Sequence, residues 1–127
     1  MHESLIERLR PITDEEKKIL EERRIRRDIY TTGDEFTIDR KKMLGSGRLI
    51  DIRTHARFIA FPKHKHNYIE ITYMCTGETT HIINDGTKIV LKEGELLFFN
   101  QHCYHEILPA GENDIAVNFM MLPEFFD

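Results

Sequence analysis

The sequence predicts an all-β domain, an antiparallel sandwich or barrel, behind an amino-terminal helical extension. Three observations carry this. From Phe36 onward, short runs rich in β-branched and aromatic residues recur about every eight to twelve positions, separated by turn residues. Asn84-Asp85-Gly86 sits between two such runs, and Asp-Gly accepts the positive backbone angles of a tight hairpin turn. Ahead of Phe36 the apolar spacing is helical instead.

Taken in order, SLIERLR places Leu5, Ile6 and Leu9 on one side of a first helix, which Pro11 interrupts. Thr13 is expected to cap a second helix, with Glu16 three positions on in the capping-box arrangement. EEKKILEERRIRRD extends it along a thin stripe of Ile19, Leu20 and Ile25. The basic cluster Arg23, Arg24, Arg26 and Arg27 reads as a solvated helix face paired with Glu21 and Glu22, in preference to a nucleic-acid contact. Strands are then expected in GSGRLIDIR, ARFIAF, YIEITYM, ETTHIIN, TKIVL, ELLFF and DIAVNFMM. The reading is a helical extension over residues 1–30 and a barrel over 31–127. The apolar ending MLPEFFD is expected either to dock on the barrel or, preferred here, to mark a segment cut from a longer chain.

Composition narrows the function classes. A chain of 127 residues suits one domain. With 18 basic against 22 acidic side chains, a net charge of −4 weighs against this stretch binding nucleic acid by itself. No apolar run approaches the ~20 residues of a membrane span, and MHESLIERLRPITDEEKK is too charged for a secretory signal. Cys75 and Cys103 are too few for a disulfide framework or a thiolate cage. A cytoplasmic location is the resulting expectation.

Seven histidines stand out, several of them between His55 and His105. On a strand, alternation places His64, His66 and Glu70 on one side. Two imidazoles and a carboxylate are ligand types that a divalent transition metal accepts, with His105 as the leading fourth ligand. Thr72 and Met74 continue the face of Glu70 and are expected to line the cavity, with Asn118 adding a polar contact from a late strand. Ile69, Ile71 and Tyr73 make the opposite face apolar as well, so the helices or a second subunit should cover the barrel's exterior. The metal-free alternative is a polar cavity whose histidines hydrogen-bond a ligand directly. His102 reads as a mouth residue, His81 and Tyr104 as strand or rim residues, Cys75 as a packed thiol and Arg57 as a surface residue.

HKHNYIEITYMCTG resembles the first motif of the cupin family, with His64, His66, Glu70 and Gly77 at its spacing. Phe58 stands where a glycine usually precedes that motif. Gly94 and His105 fit the second motif, but Asn100, His102 and Pro109 replace its usual Pro, Gly and Asn. The resemblance implies a cupin double-stranded β-helix, a jelly-roll-like barrel enclosing a ligand or metal pocket. More narrowly, RFIAFPKHKHNYIEITYMCTGETTHIINDG, LKEGELLFFNQHCYHEI and DIAVNFMMLPEFFD resemble the amino-terminal sensory domain of AraC-type transcription regulators.

That resemblance implies an effector-sensing and dimerising domain. A small polar metabolite, such as a sugar, would contact His64, His66, Glu70, Thr72, His105 and Asn118, with Tyr68 or Phe98 for stacking. His64, His66, Glu70 and His105 would be the ligands if Zn, Ni, Mn or Fe binds, and no residue is expected to be catalytic. A homodimer is expected, and DNA contact only through carboxy-terminal helix-turn-helix motifs that this stretch does not hold. The alternative is a stand-alone metal-dependent cupin enzyme, an isomerase or a dioxygenase.

Overall fold

The computed structural model describes residues 3–23, 37–38, 49–84 and 86–126. Arg24, Ile25, Arg26 and Arg27 of the expected second helix, Phe36, residues 45–48 of GSGRLIDIR and Asp85 of the hairpin turn lie outside the described residues.

Two short helices come first. Helix α1 spans Glu3–Leu9 and α2 spans Asp14–Glu22. Pro11 falls between them, as its missing N–H requires. Thr13 caps α2: the Glu16 amide donates to its hydroxyl at 3.1 Å, and the Thr13 amide donates to Glu16 Oε1 at 3.0 Å. The helix stops at Arg23, which adopts a left-handed φ of 60°.

Nine strands follow among the described residues: β1 (Thr37–Ile38), β2 (Ile50–Thr54), β3 (Phe61–His66), β4 (Ile69–Thr76), β5 (Glu78–Ile83), β6 (Thr87–Lys92), β7 (Leu96–Phe99), β8 (His105–Ile107) and β9 (Ile115–Met121). A 3₁₀ turn, Pro123–Phe126, closes the order. The strands form a five-stranded sheet, β1-β3-β8-β5-β6, and a four-stranded sheet, β2-β9-β4-β7. All described pairings are antiparallel except β1 with β3. This is the all-β, two-sheet cupin architecture the sequence predicts.

One strand expectation needs correction. ARFIAF is not a strand before Phe61. Arg57 is drawn inward by Glu16, and Phe58 adopts φ +82°, a left-handed conformation that no regular strand tolerates. The position at which cupins usually carry glycine therefore keeps a glycine-like backbone while holding phenylalanine. Conversely, QHCYHEI contains the short strand β8, whose three residues are too few to show a period.

The interior lies between the sheets. On its four-stranded side it receives Glu70, Thr72 and Met74 from β4 and Ala116, Asn118 and Met120 from β9, paired across the ladder. Leu91 packs against Met74 and Ala116. The outer face of that sheet carries a second cluster, Cys75, Ile115 and Val117, against which Ile6 and Leu9 of α1 pack. Cys75 is fully buried there, as the expected packed thiol. Helix α1 thus covers part of the apolar exterior, whereas Ile52 and Phe98 remain 56% and 58% exposed.

Candidate functional site

Alternation places His64 and His66 on the buried face of β3, and an irregularity in the ladder between Phe61 and His64 lets Phe61 be buried as well while Lys63 stays exposed. His105 on β8 sits directly opposite His64 in the ladder. Glu70 reaches the same place from β4, which belongs to the other sheet. The expectation that His64, His66 and Glu70 share one strand is therefore corrected: the chain leaves β3 after His66, passes Asn67-Tyr68, and re-enters on the facing sheet. The three side chains converge because the two sheets face each other.

The convergence is tight. Nε2 of His66 lies 3.5 Å from Nε2 of His105 and 3.3 Å from Glu70 Oε2, and His105 Nε2 is 4.0 Å from the same oxygen. His64 packs with ring centroids 4.2 Å from His105 and 4.9 Å from His66. All four side chains are buried.

Burial dominates the electrostatics. Removal from water pushes the Glu70 carboxyl up to about 8 and His64 down to about 4, and holds His66 and His105 far below the ordinary imidazole range. Without a cation the cluster is an uncharged set at neutral pH, three neutral imidazoles beside a protonated carboxyl. A divalent ion reverses this preference by attracting the carboxylate and the imidazole lone pairs.

The donor set fits such an ion. Bonds of about 2.1 Å place neighbouring ligand atoms about 3.0–3.4 Å apart in octahedral or tetrahedral geometry. The His66–Glu70 and His66–His105 separations already match, and the ligand atoms of His64, His66 and His105 lie within 4.8 Å of one another. His64 donates from Nδ1 to the Pro62 carbonyl at 2.6 Å, which fixes the tautomer whose Nε2 carries the lone pair. Nδ1 of His66 and of His105 is buried with no hydrogen-bond partner among the described residues. Three nitrogens and one oxygen are a set that Zn, Ni, Mn or Fe accepts.

A cavity of about 50 Å³ opens beside this cluster. His64, His66, Tyr68, Glu70, Asn118 and Met120 line its barrel side, and Arg53, Thr54, His55, Ala56 and Glu15 of α2 complete the wall.

A family model, the AraC-like ligand binding domain, matches residues 50–124, from the start of β2 into the final 3₁₀ turn. The chain belongs to that family. No curated protein matches it. Among solved structures, it is similar to protein NMB1881 from Neisseria meningitidis (14% identity, 57% of this chain and 71% of that one, TM-score 0.47). It is similar also to the DMSP lyase DddQ from Ruegeria pomeroyi (16% identity, 58% and 38% covered, TM-score 0.48). A third is a cupin-2 domain containing protein from Shewanella frigidimarina (15% identity, 57% and 68% covered, TM-score 0.46). The match thus spans well under half of the Ruegeria chain.

Within this AraC-like ligand binding domain, the residues singled out from sequence fall into three groups. His64, His66, Glu70 and Asn118 stand on the cavity wall. His105 and Thr72 lie behind it: His105 backs His66, and the Thr72 hydroxyl donates to Asn118 Oδ1 at 3.0 Å, orienting that amide. Phe98 lies on the exposed outer face and cannot stack on anything inside, whereas Tyr68 is buried on the wall. His102 and Tyr104 are both exposed. His81 is fully buried, Nε2 beside the Thr79 hydroxyl at 2.9 Å, with burial holding it down to about 3.

Arg57, expected at the surface, is buried in a clasp with Glu16. Several wall residues were not foreseen, Glu15 and His55 among them. Glu15 reads in sequence as one acid among many in a helix, and His55 as a histidine ahead of the motif. The excess of histidines was the only signal for His55, and Glu15 gave none.

Proposed function

We propose that this domain senses a small polar effector within an AraC-type transcription regulator, using a divalent transition ion held by His64, His66, His105 and Glu70 as the anchor of its chamber. The supporting observation is that three imidazoles and a carboxylate, drawn from two facing sheets, meet beside a partly open cavity. When bound, the ion supplies a Lewis-acidic centre for an oxygen atom of the effector. The chain's own residues do the rest: Asn118, fixed by Thr72, offers its amide to the ligand, and Tyr68 and Met120 give the apolar wall.

The cavity's size limits the effector. About 50 Å³ is well below the roughly 150 Å³ that admits benzene. A molecule of a few heavy atoms fits, while a sugar enters only if the wall contributed by α2 moves outward. Because α2 forms part of that wall, an effector that prefers one placement of the helix shifts its population, and in the regulator such a shift biases remote DNA-binding motifs. A cytoplasmic homodimer suits this role. The ladder Ile52–Phe119–Ile71–Phe98 presents an apolar row across the outer sheet, open at both ends, to a second copy.

The enzyme reading shares the same imidazoles. A thermal-shift screen of small polar acids, alcohols and amines, run with and without zinc, separates the two. An effector at 100 times its Kd stabilises the native state by about 2.7 kcal/mol. Stabilising compounds recovered unchanged support the sensor, and conversion of one of them into product overturns it in favour of the enzyme.

A further inference from the structure

The cavity has a second polar end that the histidine cluster does not use. His55 follows β2 directly, is 94% buried by its 6% exposure, and its Nε2 has no hydrogen-bond partner among the described residues. Glu15 lies in the first turn of α2, and its buried Oε1 is likewise without a partner. Both line the cavity that His66 and Glu70 also line. Each such buried polar atom costs roughly 1–3 kcal/mol when nothing answers it, and native interiors seldom keep two in one place without a use.

Their position is enforced. Glu16, the neighbour of Glu15, and Arg57, two residues after His55, form the buried pair that joins helix to barrel: Nε of Arg57 donates to Glu16 Oε2 at 2.7 Å, its amide donates to the same oxygen at 2.9 Å, and NH2 donates to Oε1 at 3.0 Å. The clasp holds the start of α2 against the segment after β2, so that both side chains line the one cavity.

We infer that Glu15 and His55 form a second recognition subsite, which takes a hydrogen-bond-donating head group, a hydroxyl or a primary ammonium, on a short effector whose other end faces the histidine cluster. The inference rests on the proposed function of the interior as an effector chamber and names the effector's class. A carboxylate oxygen accepts only, so the head group must donate to Glu15. A hydroxyl can also accept from an Nε2–H of His55, whereas an ammonium donates to both atoms. The cavity's volume, room for about three or four waters, limits the linking chain to two or three carbons.

The test uses three probes, each a chain of five non-hydrogen atoms: propane-1,3-diol, 3-aminopropan-1-ol and dimethoxymethane, which has no donor. Each is titrated into the protein and followed through the backbone amide shifts of residues around His55. The diol or the amino alcohol is expected to bind at least ten-fold more tightly than the dimethoxy compound, and whichever of the two binds better identifies the head group. Glu15→Leu and His55→Leu should each weaken that binding at least ten-fold, while the histidine cluster, to which neither residue belongs, still takes up one zinc ion per chain. Both variants should also melt at or above the wild-type temperature, because an unanswered polar group has left the interior. Equal affinity for all three probes, or unaltered binding in both variants, overturns the inference even if zinc binds. Donor-selective binding by a protein that takes up no zinc keeps the inference and removes the ion from the proposed function.

Discussion

Arg57 and Glu16, 41 residues apart in sequence, form a buried ion pair at 2.7 Å, with side-chain exposures of 3% and 2%. The remaining donors of the guanidinium are also used. NH1 reaches the Glu112 carbonyl at 2.7 Å, and NH2 reaches those of Arg10 and Pro11 at 2.9 and 3.2 Å. One side chain thus joins the connection between the helices, the start of α2 and the loop before β9. Its planar fork of five donors suits such a node, which a lysine could not reproduce.

Truncating one partner of that pair should strand the other as an uncompensated buried charge. Arg57→Ala and Glu16→Ala are each expected to cost about 3–5 kcal/mol, read from urea unfolding midpoints at constant slope. The double variant should cost much less than the sum of the two. Losses below 1 kcal/mol in the single variants would show that the clasp does not hold the extension.

In the metal-free protein, stability should fall on acidification. Burial holds His55 down to about 4, so its proton binds the unfolded chain near 6.5 and the folded one only near 4. Its contribution is complete above about 6.5 and is lost as pH falls toward 4. His64 and His81 carry shifts of the same sign. Burial raises Glu16, but the hydrogen bonds and charge of Arg57 outweigh it, so its carboxyl lies below 4.5 and its contribution is lost lower still. Glu70 works the other way: raised to about 8, it favours the folded state below 4.5 and loses that contribution as pH rises through 8. The melting temperature should therefore peak between these limbs, near pH 6–7. Glu70→Gln should flatten the alkaline limb and His55→Gln should shallow the acid one.

Two glycines with positive φ should differ sharply on replacement by alanine. At Gly77 a methyl group would run into Asp114 Oδ1 and stand 2.7 Å from the Asn113 carbonyl oxygen, on a backbone at φ +73°. Asp114 cannot retreat without giving up the amides of Glu78 and Gly111, which donate to it at 3.0 and 2.8 Å. Gly94, at φ +82°, faces open space. Gly94→Ala should cost about 1 kcal/mol and Gly77→Ala about 3 kcal/mol or more, measured by thermal or urea unfolding. Equal losses would mean that Asp114 does not police the β4–β5 connection.

Much of this molecule was legible in its residues, for identifiable reasons. Strand runs such as YIEITYM and DIAVNFMM announce themselves because a half-buried pleat demands alternation. The His64–His66–Glu70–Gly77 spacing marks the site through a turn between sheets, not through one strand: the chain folds over at Asn67-Tyr68, so the groups meet face to face. Long-range polar pairing was not legible. Nothing near Arg57 or Glu16 in sequence points to the other, so Arg57 looked like surface and ARFIAF like a strand. Nor does any local pattern tell that α2 supplies Glu15 to the cavity wall, because one acid in an acidic helix carries no mark.

Uptake of zinc by metal-free protein tests the central claim most directly, by calorimetric titration of the wild type and His66→Ala alongside elemental analysis. His66 is the right position because its Nε2 lies within 3.5 Å of both His105 and Glu70. One ion per chain, with proton release as Glu70 ionises and with affinity reduced at least a hundred-fold in His66→Ala, is the predicted result. No uptake by the folded wild-type protein, or equal uptake by His66→Ala, would contradict it.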